Sequence, residues 1–296
     1  EAMKFSGDTT KLINISGKTM LPGFIEPHVH PSIAAIMLPN EIIAPYDWIL
    51  PNEVKQGVSG HFAYLERLKQ SINDNFDKNS ADKDNVFFVW GYHQLWHGEL
   101  TREMLNELSP DKPVAIIHRS FHEVFLNDAA INKFALKQQD FADNPQVNWQ
   151  KGHFYEGGWL ALVPKIAGDL INPDSYKLGL DIMSKLVLKN GITTIAEPGF
   201  PSSNFELEYD LLKSEMDKTP PYDVFLIPSG SYLYNAKGRS NENALAFIET
   251  LEDKYNTENI KFLPKQVKLF SDGAIYSQLM QMKEGYLDGH EGEWMT

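Results

Sequence analysis

The stretch Thr19-Met-Leu-Pro-Gly-Phe-Ile-Glu-Pro-His-Val-His-Pro-Ser32 decides how the rest of the chain is read. Leu21, Phe24 and Ile25 make a short apolar run that ends in His28-Val29-His30, with Pro22-Gly23 inside it and Pro31 behind. In an extended strand, side chains at i and i+2 point to the same face. His28 and His30 are therefore expected side by side at a strand end, placed to bind one metal ion or two adjacent ones. Neutral imidazole is the commonest metal-donating side chain and suits Zn, Fe and Ni. A bare His-x-His also arises in solvated turns; the apolar run in front of this one favours a site.

Upstream, Leu12, Ile13 and Ile15 with Ser16-Gly17 read as a strand and the end of a hairpin. Downstream, residues 33–58 contain Pro39, Pro45 and Pro51 and read as a loop over the first strand, where Tyr46 and Trp48 either wall a pocket or pack on the surface. Phe62, Leu65 and Leu68 mark an amphipathic helix over 59–72. Strands are expected at 85–94 and 113–119, with a Thr101-capped helix between them and another helix at 128–136. The stretch 137–165 turns Gly-rich around Glu156 and reads as a hairpin turn. The clearest helix is 174–190, with Pro173 before it and Gly191 behind. Then follow a buried strand 191–197 ending in Glu197, a helix over 206–216, a strand 222–228, a helix over 241–254 and a strand Val267–Asp272.

Strands alternating with helices imply parallel βαβ units. Apolar strand interiors with polar C-terminal ends favour a TIM-type (β/α) barrel, whose chemistry sits at that face. A doubly wound open sheet is the alternative, although no dinucleotide-binding glycine fingerprint follows any strand.

The string Leu21-Pro-Gly-Phe-Ile-Glu-Pro-His-Val-His-Pro31 resembles the metal-binding first strand of the amidohydrolase superfamily, in particular amidohydrolase family 3. Trp90-Gly-Tyr, Leu108-Ser-Pro-Asp-Lys-Pro-Val, His118-Arg-Ser-Phe-His and Leu126-Asn-Asp-Ala-Ala resemble that family's inserted segment, with His93 standing where the family usually has an acidic residue. Val267-Lys-Leu-Phe-Ser-Asp-Gly273 is similar to its signature around a metal-binding lysine. The resemblance implies a barrel over 21–296 with an insertion at about 80–160, and residues 1–20 as a remnant of a flanking β-sandwich. It implies His28, His30 and Lys268 as ligands of one or two divalent ions, with zinc expected. It also places Glu156 as a site candidate, the other reading being a solvated turn.

Lys268, Phe270 and Asp272 would share one strand face. A lysine pointing into a barrel must be paired, neutral or modified, because burying an isolated charge is costly. A pKa depressed by burial would let the neutral amine take up CO2 as a carbamate, a bidentate anionic ligand. A snorkelling side chain, or an ion pair with Asp272 or Glu197, is the plain alternative. The further ligands, two His and a catalytic Asp, come in the superfamily from later strands. After Lys268 the one histidine is His290, in a turn. The recognisable strands make about half a barrel, so the chain reads as an N-terminal portion lacking its general base and inefficient alone.

The expected reaction is hydrolysis of a non-peptide C–N bond, an amide or N-acyl group, by metal-activated water. His118 would polarise the carbonyl or serve as a structural residue, and His122, Glu156, Trp90 and Asp272 would face substrate. The alternative is a degenerate homologue acting as a binding or regulatory module.

Composition sets the remaining bounds. In 296 residues, 42% are hydrophobic and 23% charged, typical of a globular protein. A net charge of −13 with no basic cluster argues against nucleic acid. No run approaches the roughly 20 apolar residues of a membrane helix. The absence of Cys removes disulfides, thiolate metal sites and a Cys nucleophile. Aromatic residues at 12% fit an enclosed small-molecule site or a plain core. A homodimer and the cytoplasm are the expected state and compartment, with periplasm or secretion left open.

Overall fold

A computed structural model gives the fold and describes residues 2–78, 85–275, 278–287, 289 and 291–292. His290 lies outside them. The strands, in chain order, are β1 (Phe24–Glu26), β2 (Glu41–Ile42), β3 (Trp48–Ile49), β4 (Val54–Lys55), β5 (Phe87–Tyr92), β6 (Val114–His118), β7 (Glu123–Leu126), β8 (Val147–Asn148), β9 (His153–Tyr155), β10 (Ile192–Phe200), β11 (Asp223–Pro228) and β12 (Ile260–Phe262). The helices are α1 (Pro31–Met37), α2 (His61–Lys78), α3 (Gln94–His97), α4 (Arg102–Leu108), α5 (Asp128–Lys133), α6 (Gly157–Leu170), α7 (Pro173–Lys189), α8 (Phe205–Met216), α9 (Gly230–Ala236), α10 (Asn241–Ile248) and α11 (Leu251–Tyr255).

One sheet has the order β1-β10-β11-β12, with every pair parallel. Parallel neighbours need crossovers: α8 connects β10 to β11, and α9 to α11 connect β11 to β12. The sheet is open, with β1 and β12 at its edges, and among the described residues no sheet closes into a barrel. The crossover from β1 to β10 contains a second sheet, order β2-β5-β6-β7-β9-β8, in which β2, β5 and β6 run parallel and the rest antiparallel. A two-stranded pair, β3-β4, lies beside them.

Both faces of β5 and β6 are covered, which is why their sequences are continuous apolar runs. Phe88, Trp90, Ala115 and Ile117 join the main core with α1, α6, α7, β10 and β11. Phe87, Val89, Val114 and Ile116 face the other way, onto Tyr64, Leu68, Ile72 and Phe76 of α2.

Several expectations hold closely. Thr101 caps α4 by accepting from Met104 N–H, and α7 and α8 fall within a residue of their expected limits. Others are corrected. Residues 11–20 form no strand among the described residues; only the Ser16-Gly17 turn appears, and Leu12 and Ile13 are 66% and 74% exposed. A lone strand with nothing to pair against is marginal. The stretch read as a loop after Pro31 begins with α1, because proline in the first turn lacks only a donor that would be unsatisfied anyway. The Gly-rich stretch does end a hairpin turn, between β8 and β9 at Gly152, but it continues through β9 into the start of α6, where Glu156 is buried and not solvated. The single helix expected over 241–254 is two, α10 and α11, separated at Glu249-Thr250. Val267–Asp272 is no full strand among the described residues: it holds isolated bridge positions at Lys268, opposite Ser229, and at Asp272, and the second neighbour of β11 is the unforeseen β12.

Candidate metal centre

β1 is only three residues long, so both histidines lie just past its C-terminal end. The chain stays beside β10 because Val29 N–H donates to Ala196 O at 3.0 Å. It then enters α1, with His30 at the N-cap. The His28 and His30 rings meet edge to face, with centroids 5.2 Å apart. Their expected juxtaposition is present, made by a bend after a short strand.

Gly199 of β10 is the meeting point. Its φ of +128° is open to glycine alone, and a Cβ built on it would touch His30 Cε1 at 3.7 Å and Lys268 Cγ at 3.9 Å. Thus His30 and Lys268 converge across a bare backbone position. Lys268 reaches this place through its single bridge to Ser229, with its N–H donating to Pro228 O at 2.9 Å, and its Nζ lies 5.1 Å from the Phe270 ring. His30 has its pKa lowered to about 4, chiefly by burial and then by the nearby His28 and Lys268 charges. It is therefore a neutral imidazole with a lone pair to offer.

Glu197, also on β10, was passed over as a site residue in the sequence. It is fully buried, and its Oε1 lies 3.9 Å from His30 Nδ1. Ser32 donates to that oxygen from both N–H and hydroxyl, while Oε2 has no hydrogen-bond partner among the described residues. Burial, first among its causes, raises its pKa to about 8. A lone acid in the apolar run Ile192-Thr-Thr-Ile-Ala-Glu197 was the signal available.

The second sheet brings other candidates to the segment after Lys268. His122 Nδ1 donates to Glu156 Oε2 at 2.7 Å, and Glu156 N–H donates to His122 O at 2.9 Å. Glu156 is buried, holds a left-handed φ of 42°, and accepts from Ala274 N–H at 3.3 Å through Oε1. This contact ties the His122 turn to the segment that carries Asp272. Asp272 is half-buried and accepts from Gln281 N–H and from the Ser271 hydroxyl, both at 2.9 Å.

His118 is fully buried. Ser120 N–H donates to its Nδ1 at 3.1 Å, so the proton sits on Nε2, 3.1 Å from Gln94 Oε1. Burial holds its pKa down at about 4, against the opposing charge of Glu123. With both nitrogens engaged inside the protein, His118 fixes the 118–122 turn. Trp90 is buried beneath that turn, against Trp48 at 4.9 Å and Phe121 at 5.9 Å between ring centroids. His93, at the position where the resemblance led to an acid, caps α3 by accepting from Leu95 N–H.

Among the described residues no group of three or more His, Cys, Asp or Glu forms a complete metal site. The local chemistry nonetheless fits a divalent ion: two imidazoles, a buried carboxylate oxygen with no partner, and an adjacent lysine. Nitrogen and oxygen donors of this kind suit zinc. Among the described residues no helix is long and apolar enough to cross a membrane.

The chain is similar to known proteins in sequence and in fold. A family model described as amidohydrolase family matches residues 11–296. The exoenzymes regulatory protein AepA of Pectobacterium carotovorum subsp. carotovorum is 25% identical, over 98% of this chain and 59% of its own length. The protein LONG AFTER FAR-RED 3 of Arabidopsis thaliana is 24% identical, over 69% of this chain and 33% of its own length. Crystal structures of uncharacterized metal-dependent hydrolases from Pyrococcus horikoshii OT3 and Pyrococcus furiosus share the fold, with TM-scores of 0.58 and 0.55 and identities of 17% and 18%. Each match covers 93% of this chain and 48% and 50% of those structures. The chain thus spans about half the length of the solved relatives.

Proposed function

From the premise that this chain belongs to the amidohydrolase family, we propose that it carries the first metal ligands of a metal-dependent hydrolase. The observation that carries this reading is the convergence of His30 and Lys268 on Gly199, with the His28 ring centroid 5.2 Å from that of His30, at the C-terminal end of the parallel sheet. The four parallel strands would be the front of a (β/α) barrel over 21–296, with β5 to β9 of the second sheet in its insertion at about 80–160. The substrate class is a small molecule with a non-peptide C–N bond, amide or N-acyl.

His28, His30 and Lys268, the last with or without a carbamate, would hold one or two divalent ions, zinc first. Such an ion supplies the Lewis acid that amide hydrolysis needs. His122 takes the carbonyl-polarising role expected of His118, because its Nδ1 proton is held by Glu156 while the side chain remains 22% exposed. Glu156 orients that imidazole and fixes its tautomer. Asp272 and Trp90 support the substrate side, one beside the Glu156-bound segment and the other under the His122 turn. The general base would be an aspartate, as the family resemblance implies.

A second reading, a binding or regulatory module, is favoured by the partial ligand set and by the regulatory name of the 25% identical relative. Metal content decides between them. Plasma mass spectrometry of the full-length protein should find one or two zinc-class ions per chain, lost in a His28→Ala/His30→Ala variant. A protein without metal after purification and zinc reconstitution would leave the regulatory reading.

A further inference from the structure

Two fully buried glutamates lie under the site, and only one has its charge answered. Glu208 accepts from the backbone N–H groups of Ser202, Ser203 and Asn204 and from the Tyr176 hydroxyl, so both its oxygens are used. It closes the N-terminal end of α8 as a structural cap. Glu197 is as deeply buried, yet among the described residues only Ser32 donates to it, and on one oxygen. Leaving a buried carboxylate oxygen without a donor costs stability. Uncompensated costs of this kind gather at functional sites.

We propose that Glu197 is itself a ligand of the metal ion, adding a carboxylate donor to His28 and His30; this rests on the metal-hydrolase reading above. The gap of 3.9 Å between Glu197 Oε1 and His30 Nδ1 is too long for a hydrogen bond. It sets the carboxyl group beside the His30 ring with no bond between the two. Ser32 occupies Oε1 and leaves Oε2 for the ion. Ser32 sits in α1, two residues after His30, so one helix start aims an imidazole and secures the carboxylate. The backbone of β10 supplies Glu197 and the bare Gly199 from one strand end. No ligand role for the strand after the His-x-His strand was expected from the sequence.

The test compares zinc affinity and metal-free stability in the full-length protein. Competition with a chromogenic chelator should show zinc binding weakened by more than about tenfold in Glu197→Gln, with Ser32→Ala weakened about tenfold through loss of orientation. The cobalt-substituted Glu197→Gln protein should show a changed visible ligand-field spectrum. The metal-free Tm of Glu197→Gln should stay unchanged or rise, since the amide has no carboxylate form for burial to penalise. A residue with only a structural role would instead lower Tm and leave the spectrum of the bound cobalt intact. Zinc affinity within twofold of the parent in Glu197→Gln overturns the proposal while the hydrolase reading stands. If that variant does not fold, unchanged affinity in Ser32→Ala overturns it. A parent protein that binds no zinc overturns both.

Discussion

His118 and His122 stand four residues apart and have opposite environments. His118 has both ring nitrogens bonded within the fold and no exposure, whereas His122 spends one nitrogen on Glu156 and keeps the other side partly open. A general acid or electrophile of this kind contributes typically 10²–10⁴-fold to rate. His122→Ala should therefore lower kcat/KM by about 100-fold, with zinc content and Tm little changed. His118→Ala removes a fully buried ring and the partner of Gln94 and the Ser120 N–H, and should cost about 1–3 kcal/mol of stability. Denaturant titration beside steady-state kinetics separates the two, and equal kinetic losses at equal stability would sink the division of roles.

At the scale of elements, the site depends on how α1 rests on α7. Gly179 of α7 meets the α1 backbone directly: a Cβ there would lie 2.6 Å from Ala35 Cα, well inside contact distance. The start of α1 carries His30 and Ser32, so this packing sets where both point. Gly179→Ala should push α1 away, cost about 1–3 kcal/mol through overpacking and weaken zinc binding with no change to any ligand. Chemical denaturation and chelator competition on the same sample test it; unchanged zinc affinity would show that α1 does not position the centre. Tyr176, Leu180, Met183 and Val187 continue the buried face of α7.

Across the whole molecule, acid sensitivity follows from histidines buried as neutral rings. His97 accepts from His93 N–H at Nδ1 and donates from Nε2 to Val58 O at 2.9 Å. Like His118, it has its pKa lowered to about 4, with burial the largest cause. Between pH 6.5 and about 4 the unfolded chain binds protons at these positions and the folded chain does not. Stability is thus fully expressed above 6.5 and is lost as pH falls toward 4. Tm measured across that range should drop, and less steeply in His97→Gln. A variant profile parallel to that of the parent would show that His97 does not contribute to the acid limb.

The sequence by itself determined the parallel βαβ character, the helix limits at Pro173 and Thr101, and the pairing of His28 with His30. Those features rest on local signals: period, caps, and a two-residue spacing that survives even when the strand is short. The amidohydrolase resemblance came from the same strings. What only the tertiary structure decided concerns partners distant in sequence. The strand order left the parallel sheet open, because edge pairing depends on neighbours that no local pattern names. Leu12 and Ile13 look like strand residues yet stay exposed without a partner, and Lys268 reaches β11 by one bridge. Glu197 became visible as a site residue only when Ser32, 165 positions away in the chain, was seen to satisfy one of its oxygens and leave the other bare. Burial and hydrogen-bond satisfaction are properties of the packed chain, and they assigned the chemistry that spacing could only suggest.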